Sequence, residues 1–184
     1  LAATAYHALD VGGSALPQLI IGHGVLGRLI ARLTCAIDPQ QVPVVWETNP
    51  RRAGGAAGYP VIAPGDDTHR GYAAICDVSG DSGLLDTLIG RLSPGGEIVL
   101  SGFYSEPLHF LFPPAFMREA QIRAAAQWQQ PDLLAVKALV EGGVVGLDGL
   151  ITHHDVPMHA ADAYRTAFDD PHCLKMVLDW RTCS

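Results

Sequence analysis

The strongest constraint in this chain is one run of residues, Leu19-Ile20-Ile21-Gly22-His23-Gly24-Val25-Leu26-Gly27. An apolar stretch short enough for a buried strand ends in three glycines at G-x-G-x-x-G spacing, and an apolar helix, expected over 25–33, follows at once. Each glycine has a separate reason. The first permits a tight turn, the second lets backbone N–H groups approach a pyrophosphate, and the third lets helix and strand pack closely. The positive N-terminus of the helix then receives the phosphates. Taken alone, the same spacing also fits an ordinary glycine-rich strand-to-helix turn.

A second feature, with a different physical reason, stands at the matching distance. The strand expected over 42–47 ends on Glu47, 20 residues after Gly27. A dinucleotide site needs a carboxylate there to accept the adenosine ribose hydroxyls. A carboxylate at that point repels a 2′-phosphate, so the expectation is NAD rather than NADP. Arg51 and Arg52 follow; Arg51 reads as exposed, and Arg52 as a candidate neighbour of the adenosine.

Further strands are expected over 59–62, 72–78, 97–100 and 122–128, the first one over 16–21, and helices over 84–92 and 131–141, with Ser93-Pro94-Gly95-Gly96 stopping the helix before the fifth strand. Alternation at this spacing predicts an α/β chain, a Rossmann-type doubly wound parallel sheet of six strands. An Ala-rich helix over 1–10, closed by Gly12-Gly13-Ser14, precedes it. From residue 150 the pattern changes to a strand over 151–157, a helix over 159–168 and a final strand over 175–180. The expected organisation is an entry helix over 1–15, a nucleotide-binding domain over 16–149 and a return segment over 150–184.

Composition closes off other classes. The net charge is −7, with 12 Lys and Arg dispersed along the chain, so nucleic acid is not expected as a partner. No apolar run approaches the roughly 18 residues of a membrane span. Cys35, Cys76, Cys173 and Cys183 show neither C-x-x-C pairing nor the spacing of a disulfide framework, which suits a reducing, cytoplasmic setting. His153 and His154 face opposite ways if they lie on a strand, which argues against a shared metal ion. No catalytic triad or nucleophile elbow emerges, Asp77 reads as a structural strand-end acid, and the expectation is a cofactor site without catalytic residues or a metal of its own. Two other classes share part of the pattern, a methyltransferase and a non-catalytic nucleotide sensor. Gly27 and the tail after Ile151 weigh against the methyltransferase.

The order of these features resembles the medium-chain dehydrogenase/reductases, the zinc-type alcohol dehydrogenase superfamily. Gly22 to Gly27 with Glu47, the stretch Pro94-Gly95-Gly96-Glu97-Ile98-Val99, and the tail Lys175-Met176-Val177-Leu178 carry the resemblance. Longer runs, including Val45-Trp46-Glu47-Thr48-Asn49-Pro50, Asp77-Val78-Ser79-Gly80-Asp81 and Phe112-Pro113-Pro114-Ala115-Phe116-Met117, are similar to a branch of that family acting on tetrapyrroles. The resemblance implies oxidation of the 3-(1-hydroxyethyl) group of a bacteriochlorophyllide or chlorophyllide to acetyl, with hydride passing to NAD. It implies that Gly22, Gly24, Val25, Leu26 and Gly27 meet the pyrophosphate, and that Glu47 and Arg52 meet the adenosine. It places Ser79 and Gly80 at the fourth-strand edge of the site, Gly102 and Phe103 beside the nicotinamide ribose, Thr4 near the nicotinamide and Lys175 near the pyrophosphate. His23 departs from the apolar residue usual at its position, and either bonds a phosphate or faces solvent. The resemblance further implies that a GroES-like catalytic domain precedes Leu1, bearing any zinc, that residues from about 150 pack into it, and that the edge strand Ile122 to Trp128 pairs with a second copy.

Overall fold

The computed structural model describes residues 1–10 and 13–182. Gly12 and Cys183, which figure in the sequence reading, lie outside the described residues. The chain opens with α1 (Ala2–Leu9), β1 (Leu19–Ile21), α2 (Val25–Ile37), β2 (Val44–Trp46), β3 (Val61–Ile62) and β4 (Tyr72–Asp77). It continues through α3 (Leu85–Arg91), β5 (Leu92–Leu100), α4 (Phe112–Met117), β6 (Gln121–Ala124) and α5 (Gln130–Glu141). The last elements are β7 (His153–Asp155), α6 (Ala160–Asp169) and β8 (Met176–Leu178). Six strands form one sheet in the order β3-β2-β1-β4-β5-β6, every pairing parallel. The expected doubly wound sheet is present.

Why the sheet is covered on both faces follows from the period of two along a strand. Ile20, Val45, Cys76 and Val99 point to one face, where they pack with Ala5, Leu9, Leu29, Ile30 and Leu33 of α1 and α2 and Val136 of α5. Their neighbours Leu19, Ile21, Trp46, Ile75, Ile98 and Leu100 point to the other, against Leu85, Leu88 and Ile89 of α3. Ile20, Ile75 and Ile98 are fully buried, each contributing about 1.5–3 kcal/mol relative to exposure. The strand order reverses between β1 and β4. Sheets of this kind place their ligand crevice at that point, beyond the carboxyl ends of the strands.

Several element boundaries differ from the sequence expectation, each for a local reason. β1 begins at Leu19 rather than Leu16; Pro17 has no N–H to give a ladder, and pairing starts with the Gln18 N–H on the Ala74 carbonyl at 2.9 Å. Helix α2 runs on to Ile37, stopping one residue before the Asp38-Pro39 pair, where the residue ahead of proline leaves the helical region. Ser93 to Gly96 does not separate helix from strand. It is a bulge inside β5, since Tyr72 pairs with Leu92 and Ala74 already pairs with Glu97. Gly95 takes φ +74° there, and its N–H donates to the Arg118 carbonyl at 2.7 Å.

The strand expected over 122–128 is shorter and shifted. β6 pairs with β5 only as far as Leu100↔Ala124, with a last bond from the Ala125 N–H to the Leu100 carbonyl at 2.9 Å, because β5 ends there and Ser101-Gly102 turns away. Gln129 then starts α5, with a capping box in which Asp132 accepts the Gln129 N–H at 2.6 Å. The same Asp132 carboxylate meets His7 Nδ1 at 2.8 Å, tying α5 to α1. In the tail, β7 and β8 pair in parallel with α6 between them, a small β-α-β unit apart from the main sheet.

Candidate cofactor site

The glycine turn connects β1 to α2 at the reversal point of the sheet. Gly22 sits at φ +99°, the left-handed region that favours glycine. At Gly27 a Cβ would overlap the Gly22 carbonyl oxygen and come within 3.3 Å of Val78 Cγ2; only hydrogen fits between helix and strand. Gly24 is different. It caps α2 in an ordinary extended conformation, φ −72° and ψ −174°, with no side-chain cap. A Cβ added there meets nothing within 4 Å. Neither backbone strain nor packing demands glycine at 24, and its missing side chain leaves open space before a helix N-terminus whose first N–H groups lack intrahelical acceptors.

That space belongs to a cleft of about 380 Å³ lined by Gly22, His23, Gly24, Glu47, Arg52 and Ser79 among others. Glu47 stands just beyond β2 with its carboxylate fixed at both oxygens. Oε2 accepts the His23 backbone N–H at 3.0 Å and Oε1 accepts the Asn49 N–H at 2.7 Å. Each oxygen keeps a second lone pair, so the held carboxylate remains an acceptor for a diol. Arg52 lines the cleft from a 3-10 turn at Pro50–Arg52, its Nε donating to the Pro171 carbonyl at 2.9 Å. Arg51 is exposed.

His23 departs from the solvent-facing alternative offered for it. Its side chain does not face solvent, the residue being 0% exposed, and both ring nitrogens are taken by protein groups. Nδ1 lies 2.7 Å from the Arg52 carbonyl and Nε2 lies 3.0 Å from the Tyr59 hydroxyl. A carbonyl only accepts, so Nδ1 carries the proton and Nε2 accepts from Tyr59. Burial lowers the His23 pKa and keeps the ring neutral, while burial raises that of Tyr59. Arg28, a buried arginine on α2, completes the arrangement by donating to four carbonyls. They belong to His23 (3.1 Å), Arg52 (3.1 Å), Gly54 (2.7 Å) and Gly55 (3.3 Å). The roles of Arg28 and Tyr59 escaped the sequence reading; the one available signal was an arginine inside an otherwise apolar helix stretch.

On the opposite wall, β4 ends in Asp77, which is buried and whose pKa burial raises. It accepts from the Ser79 N–H at 2.9 Å, the Ser79 hydroxyl at 2.7 Å and the Tyr104 hydroxyl at 3.0 Å. Asp77 therefore fixes Ser79 in the cleft wall and pins the loop after β5. Gly80, at φ +76°, and Gly102 touch: a Cβ on Gly102 would lie 2.9 Å from the Gly80 nitrogen, and one on Gly80 2.8 Å from the Phe103 oxygen. The two segments are thus brought side by side, and the Phe103 ring projects fully into solvent.

The remaining candidates lie elsewhere. Val25, Leu26 and Gly27 form the first turn of α2, directly after cleft-lining Gly24, and are not themselves among the lining residues. Thr4 lies on α1 and is not among the residues that line the cleft, and Lys175 is exposed beside a separate hollow formed with Tyr164 and Phe168. Among the described residues no group of three His, Cys, Asp or Glu converges on a point that could hold a metal ion. His153 instead lies 3.8 Å from Asp170. Among the described residues no helix is long and apolar enough to cross a membrane.

No family model matches the chain. Over 181 residues, 98% of its length, it is 58% identical to the 2-desacetyl-2-hydroxyethyl bacteriochlorophyllide A dehydrogenase of Rhodobacter capsulatus. It is 56% identical to the protein of that name from Cereibacter sphaeroides. The chain is a relative of these dehydrogenases. It spans 57% of the length of each. Among solved structures it resembles an alcohol dehydrogenase of Escherichia coli CFT073 complexed with NADH, with TM-score 0.82, 21% identity, 97% of this chain and 57% of that one. It also resembles the 2R,3R-butanediol dehydrogenase of Bacillus subtilis, with TM-score 0.80 and 16% identity over 97% of this chain and 55% of that one. These likenesses show the fold: the chain has the form of just over half of such a dehydrogenase.

Proposed function

We propose that this chain is the NAD-binding part of a dehydrogenase that oxidises the hydroxyethyl group of a bacteriochlorophyllide to acetyl. The observation that carries the reading is the 58% identity, along nearly the whole chain, to a dehydrogenase named for that substrate. The cleft is chemically suited to the cofactor. Open space at Gly24 admits a pyrophosphate to the first turn of α2, where the helix dipole favours the negative charge. Glu47, held from both sides, receives the adenosine ribose hydroxyls and disfavours a 2′-phosphate. Ser79, fixed by Asp77, and the Gly80–Gly102 contact shape the wall toward the other half of the dinucleotide.

Nicotinamide bound there supplies the acceptor for the carbinol hydride, so that a secondary alcohol and NAD⁺ give a ketone, NADH and a proton. The residues of this chain bind and orient; removal of the hydroxyl proton belongs to residues outside it, as does any zinc. In this reading residues 1–15 enter from a catalytic domain, 16–149 form the nucleotide domain and 150–184 return to the catalytic domain. The exposed ring of Phe103 offers a flat apolar surface to a flat macrocycle beside the cleft. The outer edge of β6, where Ile122 adjoins Phe112 and Phe116, serves a second copy of the chain.

Titration of NADH fluorescence tests the cofactor assignment. The wild-type chain is expected to bind NADH at least tenfold more tightly than NADPH, and Glu47→Ala to erase the difference. Equal affinities in the wild type would sink the assignment. For the substrate, the complete gene product is expected to convert the hydroxyethyl bacteriochlorophyllide to its acetyl form with NAD, followed by the pigment's absorption band.

A further inference from the structure

We infer that His23 is a positioning residue for the ribose end of the cleft, clamping the 52–59 loop to the glycine turn and thereby fixing the carboxylate of Glu47. The inference rests on the NAD reading of the cleft. Position 23 needs no polar side chain for a phosphate-binding turn, yet all four polar groups of His23 are engaged, each with a different segment. Its N–H donates to Glu47 beyond β2 and its carbonyl accepts from Arg28 on α2. Its Nδ1–H donates to the Arg52 carbonyl in the 3-10 turn, and its Nε2 accepts from Tyr59 ahead of β3. The ring packs edge-on to Tyr59 at 84°, with centroids 5.6 Å apart.

The consequence is geometric. The backbone of residue 23 is one of two N–H donors that hold Glu47, and the ring of the same residue is wedged under the loop that carries Arg52. Displacement of the ring moves the donor with it, so the carboxylate loses one of its two anchors. Arg28 bonds the same Arg52 carbonyl at 3.1 Å and cannot replace the contact to Tyr59. The wedge is therefore specific to an imidazole, or to a side chain that presents a donor at the place of Nδ1.

The test measures affinity for NADH and NADPH in His23→Leu, His23→Asn and Tyr59→Phe, with thermal unfolding of each variant alongside. His23→Leu is expected to weaken NADH roughly tenfold and to bring the NADH/NADPH preference toward one, since two hydrogen bonds and the seat of Glu47 are lost. His23→Asn, whose amide nitrogen occupies the place of Nδ1, restores most of the affinity. Tyr59→Phe removes a single hydroxyl and weakens NADH about threefold. If His23→Leu does not fold, the Tyr59→Phe and His23→Asn pair decides. Unchanged NADH affinity in the folded variants overturns the inference, and so does equal weakening of both ligands with the preference intact, the mark of a merely structural role. A wild-type chain that binds no NADH refutes the cofactor reading itself.

Discussion

Gly24 and Gly27 share one motif but are glycine for opposite reasons, and substituting each by alanine separates binding from folding. At Gly24 the backbone is extended and the added methyl meets nothing. Reduced unfolded-state entropy favours alanine by about 0.4–1 kcal/mol, and the poorer helix cap costs about 0.5–1 kcal/mol. The two offset, so Gly24→Ala is expected to keep its Tm within about 2 °C of wild type. Yet the methyl occupies the place where a pyrophosphate meets the helix N-terminus. Losing the alignment of one charge-assisted hydrogen bond costs roughly 1.5–3 kcal/mol, about 10- to 100-fold in NADH affinity.

Gly27→Ala inverts the pattern. Its methyl would collide with the Gly22 carbonyl and crowd Val78, an overpacking cost of about 1–3 kcal/mol that lowers Tm by roughly 2–12 °C. Circular dichroism melts and NADH fluorescence titrations of both variants are the assay. A folded Gly24→Ala variant with wild-type NADH affinity would show that no phosphate lies against residue 24. A Gly27→Ala variant that melts with the wild type would refute the close approach of α2 to the turn.

Three other outcomes follow from named contacts. Because burial lowers the His23 pKa, the unfolded chain binds a proton that the folded one refuses. Stability therefore rises with pH through the window ending near pH 6.5, by at most ~1.4 kcal/mol per unit, and in urea melts the stability difference between wild type and His23→Asn should vary with pH below 6.5 and be constant above it. Trp46→Phe removes the indole donor to Asp67 Oδ2 at 2.8 Å, leaving a buried carboxylate with fewer partners; urea midpoints should register a loss of about 1–3 kcal/mol, and an unchanged midpoint would discount the contact. Ile122→Arg places a charge on the outer edge of β6, so any dimer formed there should dissociate in sedimentation at unchanged Tm.

The sequence made the scaffold legible because its signals are local. Glycine spacing, strand period and helix stops each constrain a few consecutive residues, and the six-strand order follows from their alternation. Glu47 was readable for the same reason, as a strand-end acid at a set distance from a turn. His23 was not, because its role depends on Arg52 and Tyr59, 29 and 36 residues away. Arg28 looks like a solvated helix residue until the carbonyls of the 52–55 segment close over it. Ser93 to Gly96 reads as a stop, since proline and glycine break helices and strands alike. Only the register against Tyr72 and Ala74 shows that the strand passes through. Asp67 appears to local reading as a loop acid; its buried site between Trp46, Tyr72 and Arg91 is a product of tertiary packing.

Arg52 joins the glycine turn to the tail, 119 residues along the chain. Its carbonyl is bonded by His23 and Arg28 at the glycine turn, and its Nε reaches the Pro171 carbonyl in the tail. The tail in turn presents Met158, Tyr164, Phe168 and Trp180 to solvent, with the Tyr164 and Phe168 rings stacked at 9°. In the proposed dehydrogenase these exposed apolar side chains are where the preceding domain would rest. A partner domain resting on them would therefore sit two contacts from the cofactor cleft, through Pro171 and Arg52. In the proposed dehydrogenase, the residues that seat the cofactor and those that meet the rest of the enzyme form one continuous hydrogen-bonded path, from Glu47 through His23 and Arg52 to the tail.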